Sequence, residues 1–447
     1  MAVNLSSNFA GDIKKHLQES TLALAQKQLV LYKLGEDLKL PNGVGTTYTA
    51  TRYERLPLPT APLLEGQPPS GRQMSITQVT GTVNQWGDLV SITDKAKLTI
   101  YHDLVVKMKE LMAVQAAETL ERNTAVALLA AGNINYVNSR GSRAALLSTD
   151  VFNTTEINRA FSQLNTAGVL KYGGPSGAIQ ELDAANVKAN VKPNPETAPH
   201  YVAVTHPFVQ ADLMQDSTFS LAASRNDISR FYTNEFGQWS SVRFLSSNMV
   251  PYWTGAAAIT GTAGTAGTLA TGSYYIQVTA SDTQNQYESL VYQVSAAIAV
   301  TGPTGSVSVV LPALPGYTYS VYIGTTTAPA NLGSSVAGPT TGSQAGQAVQ
   351  LAPGQTVVIT NVGVAQSPPA APTTGITVYP IYIFGREAFG QVKLRDIDIN
   401  FLGAADKSDP MNQTRVASWN LYYGTMIMQA QFLMRVEASS AFNSVHG

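Results

Sequence analysis

The sequence predicts an α+β protein that carries a separate, inserted all-β module. The host part combines one long run of apolar residues at helical spacing with several β-rich runs. Between Pro251 and Gly375, by contrast, there is no Lys, Arg or His, and the acids are Asp282 and Glu288. A break in composition this sharp indicates a separate module inserted into a host domain of different composition.

Composition limits the classes of function. The chain has 447 residues, enough for two or three domains, and its formal net charge of −1 argues against a general nucleic-acid-binding surface. Charged residues make up 13% of the chain, about half of the ~25% usual in soluble domains, and such a surface suits a protein buried in an assembly. The lack of Cys excludes disulfides, zinc–thiolate sites and thiol nucleophiles. Neither a secretory signal nor a membrane-spanning run is visible, so we expect the chain to fold in a cytoplasm.

Residues 1–40 are predicted to form an N-terminal arm. Apolar residues stand near helical spacing at Ile13, Leu17, Leu24, Leu31 and Leu34. A helix here would dock on a neighbouring subunit or pack on the chain's own core, and the sequence favours neither reading.

Residues 41–93 are predicted to form an extended β-hairpin. Two β-rich runs, Thr46–Tyr53 and Met74–Thr93, flank a proline-rich tip from Leu56 to Pro69. The tip has too few apolar residues to pack on itself, and its prolines protect it from indiscriminate strand pairing. We therefore expect a partner to order it.

Residues 94–131 are predicted to form one long helix. Thr93 or Asp94 caps its start, Gly132 ends it, and apolar residues recur between them at steps of three and four. Such a helix is roughly 54 Å long at ~1.5 Å per residue. It would span a whole subunit.

Residues 133–250 are predicted to alternate helices and strands. Asn153 and Glu156 have the spacing of a capping box at a helix start. Tyr201–Val204 has the composition of a buried strand, and Pro207 suits the first turn of a helix that runs to Asp216.

The inserted module is predicted to be a β-sandwich. Its strands are expected at Ser273–Ala280, Leu290–Ser295, Val307–Leu311, Thr318–Ile323 and Thr356–Thr360. The runs Ser273–Ala280 and Leu314–Thr325 resemble strands of fibronectin type III or immunoglobulin-like domains. The repetitive run Gly261–Gly267 is predicted to be a low-complexity linker.

Three further strand regions are predicted after the insert. Val378–Phe384 is apolar, Val392–Ile399 alternates strictly, and Trp419–Glu437 is rich in aromatic residues and Met. The flanks of the insert, Asn248–Pro251 and Ile376–Tyr379, are expected to be neighbouring β elements in the host.

The sequence predicts no catalytic, cofactor-binding or metal-binding residues and no cofactor. No pair of His has zinc-site spacing, and His102 and Asp103 are adjacent on a helix, where neighbours do not face each other. Asp396 and Asp398 share a strand face, but interleaved basic residues favour a solvated surface over an acid–base pair. We expect the protein not to be an enzyme.

Two further candidates are weaker. Asp406–Pro410 lacks the Gly and distal Glu of a calcium loop, so a turn is expected there. Arg52, Arg55 and Arg72 are near the hairpin tip, where they would contact acids of a neighbour or a phosphate backbone.

Several motifs, in order along the chain, resemble the major capsid proteins of podophages of the N4 type. They are Leu56–Gly66, Phe384–Gly390, Asp409–Gln413, Ser418–Trp419 and Met434–Glu437. The resemblance covers most of residues 40–250 and 376–440. It implies a Hong Kong 97-type capsid fold with an N-arm, an extended loop, a long spine helix, and peripheral and axial domains.

On this reading the chain divides into five parts. They are the N-terminal arm 1–40, the extended loop 41–93, the spine helix with the α/β capsid body 94–254, the immunoglobulin- or fibronectin-like insert 255–374, and the C-terminal part of the body 375–447.

The resemblance implies a major capsid protein that self-assembles into the hexamers and pentamers of an icosahedral tailed-phage head around double-stranded DNA. The insert is expected to project outward. Implied partners are other copies of the chain, portal, scaffolding and decoration proteins, and packaged DNA bound non-specifically, with no membrane. The expected location of the protein is the virion, which assembles in the cytoplasm of the host bacterium. Two alternatives stay open at this point: a surface adhesin or tail-associated binding protein that uses the sandwich, and an enzyme with an accessory carbohydrate-binding domain.

Overall fold

A computed structural model describes residues 29–41, 43–53, 56, 73–93, 104–172, 199–220, 234–282, 287–340, 344–402 and 413–442. The predictions for the N-terminal arm before Leu29, the hairpin tip, the start of the long helix and the turn at Asp406–Pro410 lie outside these residues. The chain forms two compact units, one within Met1–Ala131 and Gly385–Leu433, the other within Gly132–Phe384 and Met434–Gly447.

The described helices and strands are as follows, in chain order. The helices are α1 (Leu31–Leu34), α2 (Leu104–Ala127), α3 (Thr154–Thr166) and α4 (Pro207–Gln215). The strands are β1 (Glu36–Lys39), β2 (Thr47–Tyr53), β3 (Ile76–Thr82), β4 (Asn84–Thr93), β5 (Ile134–Tyr136), β6 (Tyr201–Thr205), β7 (Glu235–Trp239), β8 (Val242–Ser246), β9 (Trp253–Ala256), β10 (Gly261–Leu269), β11 (Gly272–Asp282), β12 (Glu288–Tyr292), β13 (Ile298–Val300), β14 (Gly305–Val310), β15 (Tyr317–Gly324), β16 (Asn331–Ser334), β17 (Thr356–Ile359), β18 (Asn361–Ala365), β19 (Thr377–Phe384), β20 (Phe389–Leu402), β21 (Thr414–Ile427) and β22 (Leu433–Ser439).

The first unit is built on a four-stranded sheet with the order β1-β20-β21-β4. The strand β1 is parallel to β20, and the other pairs are antiparallel. From Ala417 to Tyr423, side chains at every second position of β21 face the long helix α2, as the strand period of two requires. The core between them is formed by Met108, Met112, Ala116, Ala117, Leu120, Ala417, Trp419, Leu421 and Tyr423, with Leu29, Ile397 and Ile399.

The long helix is confirmed over Leu104–Ala127. Its regular part ends before the predicted Gly132, because a 3₁₀ turn at Leu128–Ala130 tightens the last turn and Ala131 donates to the Leu128 carbonyl.

The predicted hairpin is confirmed as well. The strands β2 and β3 pair antiparallel over seven residues, from Thr47 opposite Thr82 to Tyr53 opposite Ile76. After Val83 the chain continues directly into β4, which joins the sheet.

The strand β20 departs from the predicted alternation. Its pairing with β21 shifts register between Lys393 and Arg395 and again between Arg395 and Asp398. A bulge re-aims the side chains that follow it, so Arg395 and Asp396 are both exposed while Ile397 is buried.

The second unit contains a 13-stranded sheet. Its main path is β18-β16-β15-β11-β12-β9-β19-β6-β8-β7, with β13 on β11, β22 on β19 and β5 on β22. The strands β6 and β19 are buried along their whole length, which explains their continuous apolar sequences.

Both predicted helix starts in this unit are confirmed. The Asn153 side chain accepts from the backbone N–H groups of Thr155 and Glu156 at the start of α3. Pro207 occupies the first turn of α4, which His206 caps.

All five strands predicted within the insert are present, with ends shifted by a few residues. They lie in two sheets, because β10, β14 and β17 form a separate three-stranded sheet. Side chains of both sheets meet in one core that includes Ile276, Val278, Val307, Val309, Tyr319, Val321, Val357 and Ile359.

The linker prediction for Gly261–Gly267 is wrong. These residues form most of β10, which pairs with β14. Glycine is required there because backbones approach closely: a Cβ on Gly267 would lie 2.4 Å from the Gly305 carbonyl oxygen and 2.6 Å from that of Thr360. A composition that resembles a linker therefore reflects close packing of strands.

The two flanks of the insert are neighbours, as expected, but Asn248–Pro251 lie in a turn and not in a strand, and the strand that pairs begins at Trp253. The entering strand β9 pairs with β19, with Trp253 opposite Val378 and Thr254 opposite Thr377. On its other side β9 pairs in parallel with β12, so the insert's larger sheet continues the sheet of the body. The limits 255–374 for a domain remain a prediction.

Candidate assembly surfaces

The hairpin β2–β3 is packed at its base and exposed towards its tip. At the base, Tyr48, Ala50 and Val79 pack around Val83 and Met426. Towards the tip, apolar side chains remain in contact with solvent: Leu56 is 54%, Met74 64% and Ile76 54% exposed. Large apolar side chains exposed in this way mark a candidate contact site, because their burial against a partner is favourable.

A buried carboxylate holds the segment that precedes β1. Glu121 on α2 is almost fully buried and accepts the backbone N–H groups of Val30, Leu31 and Tyr32 at 3.1, 2.8 and 3.1 Å. Three charge-assisted hydrogen bonds satisfy the carboxylate and fix the point from which the preceding chain departs. Neither the residue nor its role is evident from sequence, because the partners are about 90 positions apart.

A second contact holds β1 to β20. The Lys393 ammonium lies 2.9 Å from an oxygen of Asp37 and 5.1 Å from the ring centre of Tyr32. Burial alone would lower the pKa of Lys393, but its interactions with Asp37 and Tyr32 dominate and raise that pKa. The cation is therefore kept charged at this partly buried position.

Hydrogen bonds fix the position of α2 on the four-stranded sheet. The Tyr423 hydroxyl donates to the Leu120 carbonyl at 3.1 Å and lies 3.0 Å from the Thr124 hydroxyl. Burial raises the pKa of Tyr423 to about 12. The Trp419 indole donates to Gln115 at 3.2 Å. These contacts fix the helix α2 against the strand β21 of the sheet.

Glu288, one of the insert's two acids, is held in a hydrogen bond and is largely withdrawn from solvent. Glu288 accepts a 2.6 Å hydrogen bond from the Tyr322 hydroxyl, which also accepts from the Gln366 amide. Burial raises the pKa of Glu288, and the Tyr322 hydrogen bond offsets part of that rise. The outer surface of the insert is therefore nearly neutral, with exposed apolar residues at Val310, Val336 and Val364.

The described residues form no metal site. These contain no cluster of three or more His, Asp or Glu that would hold a metal ion. His206 caps α4 and stacks on Tyr379, with ring centres 4.7 Å apart, and His200 is buried beside Tyr172. Both histidines therefore take part in capping or ring packing.

The remaining candidates are placed as follows. Asp398 forms an ion pair with Arg395, while Asp396 is exposed, so the two carboxylates do not act on one site. Arg52 is on β2. His102, Asp103, Arg55 and Arg72 lie outside the described residues. Among the described helices, none is long and apolar enough to cross a membrane.

Solved phage capsids resemble this chain at low sequence identity. The capsid of cyanophage P-SCSP1u is 12% identical, with 90% of this chain and 86% of that chain covered and a TM-score of 0.46. The capsid of Ralstonia phage GP4 is 9% identical, with coverage of 93% and 92% and a TM-score of 0.48. The head of Helicobacter pylori bacteriophage KHP40 is 7% identical, with coverage of 90% and 86% and a TM-score of 0.45. Values this low do not by themselves establish a shared function.

The family comparison is decisive. No curated protein matches the chain. A family model described as phage capsid protein, however, matches residues 77–309, slightly more than half of the chain. The matched stretch begins in β3, includes α2 and the helices and strands that follow, and ends within β14. The chain therefore belongs to the phage capsid protein family.

Proposed function

We propose that this chain is the major capsid protein of a tailed phage, and that it assembles through hexamers and pentamers into an icosahedral head around double-stranded DNA. Membership of the phage capsid protein family carries the proposal. That family consists of structural proteins of the virion and is not a family of enzymes.

The order of elements supports a Hong Kong 97-type subunit. On this assignment the hairpin β2–β3 is the extended loop, α2 is the spine helix, and the sheet β1-β20-β21-β4 belongs to the peripheral domain. The body strands of the 13-stranded sheet belong to the axial domain. The ordered motifs from Leu56–Gly66 to Met434–Glu437 favour the N4-type podophages within the family.

The insert 255–374 is proposed to be an immunoglobulin- or fibronectin-like sandwich that projects from the outer face. Its two sheets around one apolar core support this assignment. The proposed divisions elsewhere are the arm 1–40, the loop 41–93, and the body in 94–254 and 375–447.

The proposed partners follow from assembly. Other copies of the chain are the main partner, and the exposed end of the hairpin is the proposed contact surface. Portal, scaffolding and decoration proteins and non-specifically bound DNA complete the set, with assembly in the host bacterial cytoplasm.

The test is to replace residues 56–69 by a short Gly/Ser tip and to examine the purified protein by electron microscopy. We expect a soluble chain that forms no shells, because the tip and its exposed Leu56 are no longer present to contact another copy. Unchanged hydrogen exchange in β2 and β3 would show that the hairpin itself still folds. Normal shells from this variant would contradict the proposed role of the loop.

The unmodified chain provides the broader test. Shells in its micrographs support a coat protein, whereas fibres or single particles at all protein concentrations would favour the adhesin alternative.

A further inference from the structure

One buried arginine contacts the body and the two segments that flank the insert. Arg143 belongs to a 3₁₀ turn of the body, Arg143–Ala145, and is only 6% exposed. Its guanidinium donates from Nε and Nη2 to the two carboxylate oxygens of Glu437, both at 2.7 Å. Glu437 lies on the body strand β22 and is fully buried, so this end of the contact is fixed in the body.

The same guanidinium holds both ends of the insert. Its Cζ atom lies 3.5 Å from the ring centre of Trp253, on the strand that enters the insert. Its Nη1 donates at 3.1 Å to the carbonyl of Ala370, on the segment that leaves the insert. A planar guanidinium is the side chain able to form a bidentate pair, stack on an aromatic ring and donate a further hydrogen bond at once.

Contacts beside Arg143 hold the same two segments. The Thr373 hydroxyl contacts the carbonyls of Ala144 and Leu146 at 2.9 and 3.3 Å. Gly255 exchanges backbone hydrogen bonds with the returning chain, donating to Ile376 at 3.0 Å and accepting from Gly375 at 2.9 Å. Side-chain hydrogen bonds as well as strand pairing therefore hold these segments together at the root of the insert.

We propose that Arg143 is a positioning residue that fixes the orientation of the insert on the capsid body. The insert contains no Lys or Arg of its own, so the body supplies the cation that binds both of its ends. The insert is consequently a rigid extension of the body and not a domain on a flexible tether. It presents a fixed face to whatever it contacts. This inference does not depend on shell formation.

The experiment is hydrogen–deuterium exchange of the full chain with Arg143→Met. This variant removes the contacts to Trp253 and Ala370, and Glu437 keeps a cation, because Arg435 Nε lies 3.1 Å from its carboxylate. Exchange is followed at residues 252–256 and 370–377, with β11 reporting on the insert and β6 on the body. Arg159→Ala, which removes a partly exposed ion pair with Glu156, is the matched control.

We expect exchange at the two root segments to accelerate by at least about tenfold, with β6 and β11 unchanged within about twofold. Unchanged root exchange would overturn the proposal. Equal acceleration in β6 would overturn it as well, because Arg143 would then stabilise the body's core generally. Trp253→Leu provides a second variant that leaves the Arg143–Glu437 pair intact. It should accelerate exchange at 370–377 by several-fold, and no effect there would also contradict the clamp.

Discussion

At the scale of single residues, Glu288 shows how burial and pH are linked in the insert. Its charged form is disfavoured by burial, and the Tyr322 hydrogen bond offsets this only in part, so its pKa is raised in the folded state. The stability contributed by the neutral form is fully present below the usual glutamate pKa. It is lost as the pH rises through the raised pKa.

The variant Glu288→Gln should therefore stabilise the insert at neutral pH, by on the order of 1 kcal/mol for each unit of the pKa shift that it removes. Glutamine keeps an oxygen that accepts from Tyr322, and it cannot ionise. Exchange protection of β15, measured between about pH 5 and about pH 8 and corrected for intrinsic rates, should decline with pH in the parent and stay flat in the variant. The control is Asp282→Asn, at the insert's other acid. If the exchange protection of β15 in the parent does not decline with pH, the proposed link between Glu288 ionisation and the stability of the insert is contradicted.

Glu121 is a second residue whose charge has a structural task. In Glu121→Gln one carboxylate oxygen becomes an amide donor that faces a backbone N–H donor among Val30, Leu31 and Tyr32. We expect the segment 29–34 to lose about 2–3 kcal/mol of local stability, seen as faster hydrogen exchange there. Glu118→Gln is the matched control, because Glu118 is exposed on the same helix. Equal exchange in both variants would show that the carboxylate does not anchor this segment.

At the scale of elements, β10 shows how tertiary packing overrides local composition. Its glycines differ in what a Cβ would meet: backbone oxygens at Gly267, but only the Ser306 side-chain oxygen, at 2.8 Å, at Gly264. Gly267→Ala should therefore destabilise the insert by about 1–3 kcal/mol, and Gly264→Ala by less, since a side chain can move more easily than a strand. Exchange protection of the partner strands β14 and β17 measures both. Equal effects of the two variants would contradict a backbone clash as the cause.

Other elements were predictable because their signals are local. The cap at Asn153, the proline at the start of α4 and the helical spacing within α2 all operate within a few residues of sequence. The strand β10 was not predicted, because the backbone of Gly267 packs closely against Gly305 and Thr360, which are about 40 and about 90 positions away in the sequence. The bulges in β20 were missed for the same reason, since they depend on its pairing with β21.

At the scale of the whole molecule, the composition break located the insert but did not describe its attachment. Sequence predicted that the flanks are neighbours, and the pairing of β9 with β19 confirms this. It did not reveal the Arg143–Glu437 pair, whose partners are 294 positions apart, or the pairing of β12 with β9. Both contacts require the folded chain, because only the fold brings these segments together.

The way the insert is attached determines where it can be removed. Excision of residues 255–374 would delete Gly255, which bonds to Ile376 and Gly375. Excision of 258–371, closed by a short Gly/Ser linker, keeps β9 and its pairing with β19. We expect this shortened chain to fold, with a melting temperature lowered by about 3–10 °C because β9 loses β12. In that background Arg143→Met should cost less stability than in the full chain, because the contact of Arg143 with Ala370 is already absent. Calorimetry of the full chain, the excised chain and the arginine variant of each measures the coupling between Arg143 and the insert. An equal cost in both backgrounds would mean that Arg143 stabilises the body alone. Failure of the excised chain to fold would mean that the insert is part of the body's own framework.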